Sequence, residues 1–519
     1  MENDMRIRTA LLSVSDKTGI VELAQALRAQ QVRIISTGGT KDVLQKAGIA
    51  VTDITEVTGN PEAFGGRMKT ISFQVASGIL FDRTRDKDEA EKLKILPIDL
   101  VVANLYPFAE YKEKGLSLEE LIEYIDVGGP TMIRAAAKNF QHVAVLTRPE
   151  DYPGFIAELG EKAGAVSVES RKRWMRTAFH ATATYDTMIA EHLAGEKLRY
   201  GENPHQSATF TPDPSGISFD VLAGKELSYN NLVDLDAALA AALPLAHPTC
   251  AIIKHENPCG LASSQNLGET LERAWGGDPV SAFGSVIAFN RKVGESDLKF
   301  LGMDQKETRR FVEIVAAPDL TDEAVAYLKQ NKNLRVLRIR DQRTGPKKTR
   351  RMLSTGTLVQ DADEIFTEKL DVVSATKPEK LDEDLLRFGV HAVRCLKSNA
   401  IALVRRHGTG MELLGMGAGQ PNRVKSTELA VSQAQANLRM EAQAQKAADV
   451  HAYVRQGLGS AYLISDAFFP FADSVEHAIE AGVRTVVEPG GSLRDPDVIK
   501  VCDASGVVLV FTGTRHFKH

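Results

Sequence analysis

The chain has 519 residues, with 63 Lys plus Arg against 68 Asp plus Glu, a formal net charge of -5 and 43% hydrophobic residues. That balance excludes a disordered chain, a long coiled coil and a nucleic-acid polycation. Cys250, Cys259, Cys395 and Cys502 are dispersed without a CxxC pair, which argues against a disulfide framework or zinc ribbon and for a reducing compartment.

At roughly 150 residues per folding unit, the length predicts three or four units. The apolar stretch 10–14 lies between Asp4 and Asp16 and is too short for a secretory leader. The longer uncharged stretch 237–253 is interrupted by Pro244, His247 and Pro248, so it reads as helix, turn and strand instead of a membrane span. A cytoplasmic protein is expected.

In chain order, residues 9–14 read as a strand, and Ile20, Val21, Leu23, Ala24 and Leu27 share one helical face. A strand at 32–36 follows, then Thr37-Gly38-Gly39-Thr40 opens a helix running through Leu44. Residues 98–105 and 142–146 are further buried strands. Such repeats predict a parallel sheet covered on both faces, with ligands at the carboxyl ends of its strands. A helical pattern over 171–193 breaks at Ala194-Gly195-Glu196-Lys197, which places a domain boundary at about 196, with units 1–196 and 197–519. The second unit mixes helices with strands at 251–254, 286–290, 372–374, 401–404, 461–465 and 507–511, and its length predicts two subdomains joined at about 360–380. No short-period repeat is visible. The Ala- and Gln-rich stretch 426–451 predicts a polar surface or interface helix.

Two loops of the first unit suit a phosphate. Ser13-Val14-Ser15-Asp16-Lys17-Thr18-Gly19 and Ser36-Thr37-Gly38-Gly39-Thr40 each combine hydroxyls, backbone N–H groups and a helix start, and Lys17 adds a charge. Neither is a Walker loop. Gly65-Gly66-Arg67-Met68-Lys69-Thr70 brings two cations onto a tight loop, and Asp126-Val127-Gly128-Gly129-Pro130 precedes Arg134 and Lys138 on one helical face. Taken with Asn104-Leu105-Tyr106-Pro107-Phe108 and Arg134-Ala135-Ala136-Ala137-Lys138-Asn139, this unit resembles the inosine monophosphate (IMP) cyclohydrolase domain of the bifunctional purine biosynthesis enzymes. The resemblance implies a methylglyoxal-synthase-like, doubly wound parallel sheet. It assigns proton transfer and oxyanion stabilisation to Lys69, Tyr106, Asp126 and Lys138. It assigns nucleotide binding to Ser13, Ser15, Lys17, Thr18, Ser36, Thr37, Gly38, Arg67 and Thr70. After Lys-Thr the family usually reads Leu-His-Pro, a basic residue and His-Gly-Gly, whereas this chain reads Ile71-Ser72-Phe73-Gln74-Val75-Ala76-Ser77-Gly78. That departure makes a slowed ring-closing half one alternative.

In the second unit, Lys254-His255-Glu256-Asn257-Pro258-Cys259-Gly260 ends a strand with a Lys–His pair able to handle a proton near neutral pH. A zinc-deaminase reading fails because Glu256 directly follows His255 and no second Cys follows Cys259 at the required spacing. Arg199-Tyr200-Gly201-Glu202-Asn203-Pro204-His205, Ser228-Tyr229-Asn230-Asn231, Lys397-Ser398-Asn399 and Gly417-Ala418-Gly419-Gln420 add donors. With Asp278-Pro279-Val280-Ser281-Ala282-Phe283-Gly284, Ser465-Asp466-Ala467-Phe468-Phe469-Pro470-Phe471 and Arg515-His516-Phe517, they resemble the aminoimidazole carboxamide ribonucleotide (AICAR) transformylase half of the same family. The matches keep family order over essentially the whole chain.

That resemblance implies formyl transfer from 10-formyltetrahydrofolate to AICAR, giving the formylated FAICAR, which the first unit closes to IMP. His255 is then the base supported by Lys254, and Asn399 faces the formyl oxygen. Arg199 and Arg515 hold phosphate, and Tyr200, His205, Asn231, Phe283, Gly284, Glu313, Gln420, Asp466 and Phe517 are substrate contacts. The family folds this half as a pair of cytidine-deaminase-like α/β subdomains without a catalytic metal, admits a structural monovalent cation, and is a homodimer with transformylase sites shared across the subunit interface; nucleic-acid binding is not expected, because nothing in the sequence resembles a binding motif. A non-enzymatic nucleotide sensor is the alternative of another class, and the Lys254–His255 pair with Asn399 argues against it. The basic stretch 340–351 reads as a solvated loop, with attraction of a folate polyglutamate tail as the sharper reading.

Overall fold

A computed structural model describes residues 4–61, 63–64, 68–213, 216–340, 347–364 and 369–519, so Arg67 and residues 341–346 lie outside the described residues. The chain divides into two compact units, Met1–Gly195 and Glu196–His519. Among the described residues no helix is long and apolar enough to cross a membrane.

The first unit is built on a five-stranded sheet in the order Thr52–Asp53, Arg33–Ser36, Thr9–Ser13, Leu100–Ala103 and Ala144–Leu146, with every neighbouring pair parallel. Leu11, Leu12, Val101, Val102 and Val145 are buried because helices cover both faces of the sheet. The strand order reverses between Thr9–Ser13 and Leu100–Ala103. At such a switch point the two following loops diverge and leave a crevice at the carboxyl edge. The loops beginning at Val14 and Asn104 therefore border that crevice.

The second unit carries one 12-stranded sheet with an internal duplication. Its first half runs Phe219–Ala223, Arg335–Ile339, Val312–Ala317, Ser285–Phe289, Thr249–Lys254 and Asn257–Ser263 from edge to centre. Its second half repeats that order from the other edge, as Asp371–Val372, Val508–Phe511, Thr485–Glu488, Tyr462–Ser465, Ile401–His407 and Gly410–Gly417. The parallel and antiparallel pairings match position for position. The halves join where Asn257–Ser263 pairs antiparallel with Gly410–Gly417. Each half also packs a helix on its central hairpin through glycine. A Cβ on Gly260 would stand 1.9 Å from the Ala274 carbonyl, and one on Gly417 would stand 1.9 Å from that of Ser426.

The stretch expected as one polar surface helix is different in two respects. The helix is Arg423–Ala444, and a second one, Val450–Ser460, follows a break. Ser426, Thr427, Ala430, Ala434, Leu438 and Ala442 are buried against the sheet, so the first of these helices covers the core.

Candidate active sites

In the first unit the predicted phosphate loops form, and a side chain outside them closes one. Asn104 Oδ1 accepts the N–H groups of Ser15 at 2.6 Å and Asp16 at 2.9 Å, while its Nδ2 donates to the Asp16 carbonyl at 2.9 Å. Thr18 donates both its N–H and its hydroxyl to Asp16 Oδ1, which holds that carboxyl below its ordinary range. Lys17 Nζ donates to the Ser15 carbonyl at 3.1 Å. A Cβ on Gly38 would lie 3.6 Å from Lys69 Nζ, and one on Gly39 3.5 Å from Lys17 Cε, so both lysines bend over the second loop. The Ser36 hydroxyl is buried and donates to the Leu12 carbonyl, Thr37 is buried at the helix start, and Ser13 ends its strand. The Thr40 hydroxyl ties the two loops through Val14.

Tyr106 is 47% exposed. Its hydroxyl is raised above the ordinary tyrosine range first by burial, then by the Asp126 carboxylate, with Lys69 opposing. Burial also pushes the Asp126 carboxyl up, against N–H donation from Gly129 at 2.8 Å and from Tyr106. Asp126 in turn donates its N–H to the Tyr185 hydroxyl at 2.8 Å. Lys69, Tyr106 and Asp126 thus share one electrostatic neighbourhood. Thr70 adjoins it, because a Cβ on Gly128 would lie 2.8 Å from Thr70 Oγ1. Lys138 stands apart at the far end of the helix Gly128–Lys138, whose 11 residues rise about 16 Å. Both helix ends line one cavity of about 1090 Å³, together with Thr70, Ile71, Ser72 and Phe73. Ser72 caps the helix Phe73–Leu80 by accepting the Val75 N–H at 3.1 Å.

In the second unit His255 and Glu256 form the two-residue turn joining Thr249–Lys254 to Asn257–Ser263. Both have left-handed backbones, φ 51 and φ 63 degrees. Such a hairpin turn favours Asn and Gly, so two larger side chains are held there against a local cost. The exposed imidazole of His255 consequently projects from the end of a rigid hairpin. Lys254 Nζ donates to the carbonyls of Phe283 at 3.1 Å and Gly284 at 2.9 Å, which fixes the ammonium against the loop before Ser285–Phe289. Gly284 has φ +70, and a Cβ there would stand 3.1 Å from Lys254 Nζ.

Asn399 precedes the first hairpin strand of the second half. Antiparallel neighbours bring that strand's start to the sheet edge where Thr249–Lys254 ends. Lys397 joins the two loops: Nζ meets Glu256 Oε2 at 2.8 Å, and its N–H donates to Asn257 Oδ1 at 3.4 Å. The turn itself is pinned where the Glu256 N–H donates to Asp234 Oδ1 at 2.8 Å. Asn399 Nδ2 donates to the Gln420 carbonyl at 2.9 Å, and the Asn399 carbonyl accepts the Ser426 hydroxyl at 2.8 Å. The Ser398–Asn399 peptide bond is cis.

Other expected contacts carry internal duties. Asn231 completes a capping box with Ser228, and Glu313 pairs with Arg335. Asp466 is fully buried and accepts Arg423 Nη2 at 2.7 Å, while its Oδ2 has no partner among the described residues. Behind it, Glu488 Oε2 accepts the Phe469 N–H at 2.6 Å, and burial pushes the Glu488 carboxyl up to about 8. Arg199 stacks on Tyr200 at 4.7 Å and Arg515 on Phe517 at 4.5 Å. Phe283 is exposed beside Phe311, and His205 is exposed. Among the described residues no group of three or more His, Cys, Asp or Glu gathers as a metal site.

Comparison with known proteins supplies the relationship. A family model described as "AICARFT/IMPCHase bienzyme" matches residues 136–433, and an MGS-like domain matches residues 19–131. The bifunctional purine biosynthesis protein PurH of Rhodopirellula baltica is 41% identical, covering 100% of both chains. That of Synechococcus elongatus is 42% identical over 99% of this chain and 100% of the relative, and that of Xylella fastidiosa 39% over 99% of each. The crystal structure of ForH is 37% identical over 36% of this chain and 98% of its own, with a TM-score of 0.32. By full-length identity and by the matched model, the chain belongs to the AICARFT/IMPCHase bienzyme family, with an MGS-like first domain.

Proposed function

We propose that the two units catalyse consecutive steps of purine biosynthesis: formyl transfer from 10-formyltetrahydrofolate to AICAR, then dehydrative closure of FAICAR to IMP. The observation that carries the first step is the hairpin tip bearing His255, tied through Lys397 to the loop bearing Asn399. The AICAR amine is a poor nucleophile because its lone pair delocalises into the imidazole. His255 takes a proton from that amine as its nitrogen bonds to the formyl carbon. Asn399 offers its remaining amide N–H to the oxygen that becomes negative. The folate nitrogen then leaves and takes the proton from His255, which restores the base. Proton transfer contributes about 10²–10⁴-fold and the amide donor about 10²–10³-fold. The Lys254 ammonium, fixed by two carbonyls, supplies a positive charge at the same end of the strand. Arg199 and Arg515 hold the phosphate, and exposed Phe283 and Phe517 offer ring faces to the flat substrates.

In the first unit the FAICAR carboxamide nitrogen attacks the formyl carbon of the same molecule, and water leaves. Folding the substrate into a reactive conformer does most of this work. Lys69, Tyr106 and Asp126 supply the charge and the exchangeable protons, and the Ser13–Gly19 and Ser36–Thr40 loops take the phosphate. The Ile71–Ser77 departure leaves these three groups in one neighbourhood, which favours a working ring closure over a sensor.

An exposed ribbon supports a homodimer. The hairpin Lys348–Leu353 and Gly356–Asp361 is exposed along both strands and displays Met352, Leu358 and Val359. A two-stranded ribbon is marginal alone, and a second copy of this chain would cover it. The Arg423 guanidinium offsets the Asp466 charge. Dispersed cysteines without a CxxC pair support a cytoplasmic location.

The test is His255→Ala assayed at both units. Formyl transfer should fall by about 10²–10⁴-fold, with ring closure of supplied FAICAR unchanged. Undiminished formyl transfer refutes the reading.

A further inference from the structure

Asn399 lies in the short connection between the helix Glu383–Cys395 and the strand Ile401–His407. An amide that must meet a transient oxyanion needs its backbone fixed to a fraction of an ångström. One residue, distant in sequence, supplies three of the bonds that fix this connection. The Lys518 N–H donates to Ser398 Oγ at 3.0 Å, and the Ser398 N–H donates to the Lys518 carbonyl at 2.9 Å. Lys518 Nζ donates to the Cys395 carbonyl at 3.1 Å.

The ammonium is well matched to that place. Cys395 ends its helix, where carbonyls lack helical partners and the dipole is negative. Lys518 also acts on the carboxyl of Asp236, which lies on the helix Tyr229–Ala242. That same helix contributes Asp234, which pins the His255 turn. Lys518 therefore stands between the helix supporting the base and the connection carrying the amide donor.

Resting on the proposed role of Asn399, we propose that Lys518 is a positioning residue for formyl transfer. Its ammonium closes the carboxyl end of the helix Glu383–Cys395 and its backbone holds Ser398, which together aim the Asn399 amide at the formyl oxygen. It touches neither substrate.

The test uses the full chain and reads both activities. Lys518→Met keeps the stem and the backbone clamp and removes only the charge. The expected result is a kcat for formyl transfer lowered by about tenfold, or about 1.4 kcal/mol, with KM for AICAR and folate nearly constant and ring closure intact. Lys518→Arg should recover most of the loss. In an Asn399→Ser background Lys518→Met should cost nothing further, because the amide it aims is gone. An unchanged kcat in Lys518→Met, a fully additive double variant, or a loss seen equally in ring closure overturns the proposal. Formyl transfer left intact by Asn399→Ser alone overturns instead the role of Asn399.

Discussion

Replacing Gly129 by alanine should separate the two activities with one methyl group. The new Cβ would stand 2.4 Å from Asp126 Oδ2 and 2.9 Å from Leu105 Cδ2, where atoms normally meet at about 3.5–4.0 Å. The carboxylate must retreat by about 1 Å to restore contact. It then loses the 2.8 Å bond from the Gly129 N–H, worth about 1.5–3 kcal/mol for a charged acceptor. Alanine returns up to about 1 kcal/mol of helix propensity, so the net destabilisation is about 1–2 kcal/mol. The catalytic consequence is larger, since a displacement of about 1 Å costs about 10²-fold. Ring closure of supplied FAICAR, followed as IMP formation, should lose about 100-fold in kcat/KM, while tetrahydrofolate release from the formyl transfer assay stays at the parent rate. Ring closure within a factor of a few of the parent would refute the placement of Asp126.

Three further outcomes are expected. Glu488 is fully buried and its carboxyl is raised from 4.5 to about 8 by burial. Between those values the folded chain holds a proton that the unfolded chain has released, so this group's stabilisation falls as pH rises through the window and levels off above it, by at most about 1.4 kcal/mol per pH unit. Glu488→Gln should accordingly raise Tm at pH 8 far more than at pH 4.5, and an equal gain at both pH values would contradict this. Neutralising Lys347, Lys348, Arg350 and Arg351 together should raise KM for polyglutamylated folate more than for the monoglutamate, and equal effects remove the electrostatic reading. Met352→Glu combined with Leu358→Lys should shift the mass measured by light scattering from two chains to one, and a persisting dimer excludes the hairpin as the interface.

What was readable beforehand follows sequence distance. The loops after Thr9–Ser13 and Arg33–Ser36 announce themselves because a phosphate loop is local: an apolar strand, small and hydroxylated residues, then a helix. The Lys254–His255 pair is equally local. The groups that brace these features are not. Asn104 acts 88 and 89 positions from the amides it binds, and Lys397 acts 141 positions from Glu256. No spacing rule links them. Asn231, expected at the substrate, is engaged in a capping box whose Ser-x-x-Asn pattern lay in plain view. The helix Arg423–Ala444 has a polar pattern because its buried face is mostly Ser, Thr and Ala, with Val431 and Leu438 the larger apolar residues. Small residues there let its backbone approach Gly415 and Gly417, so burial came through closeness instead of bulk. The strand Asn257–Ser263 stayed hidden for a similar reason, since Pro258, Gly260 and Ala262 have weak strand preference. The duplicated sheet order had no counterpart in the residues, because the two halves share connectivity and not a short repeat.

The bonds between Ser398 and Lys518 span 120 positions, and that span orders events during synthesis. The first unit is fully emerged and able to fold while the second is still being made. The connection carrying Asn399 cannot be clamped until the segment beyond Phe511 has left the ribosome, however early His255 and Asn399 appear. A message broken near its 3′ end would therefore yield a polypeptide whose first unit is complete while the second lacks the Ser398–Lys518 clamp.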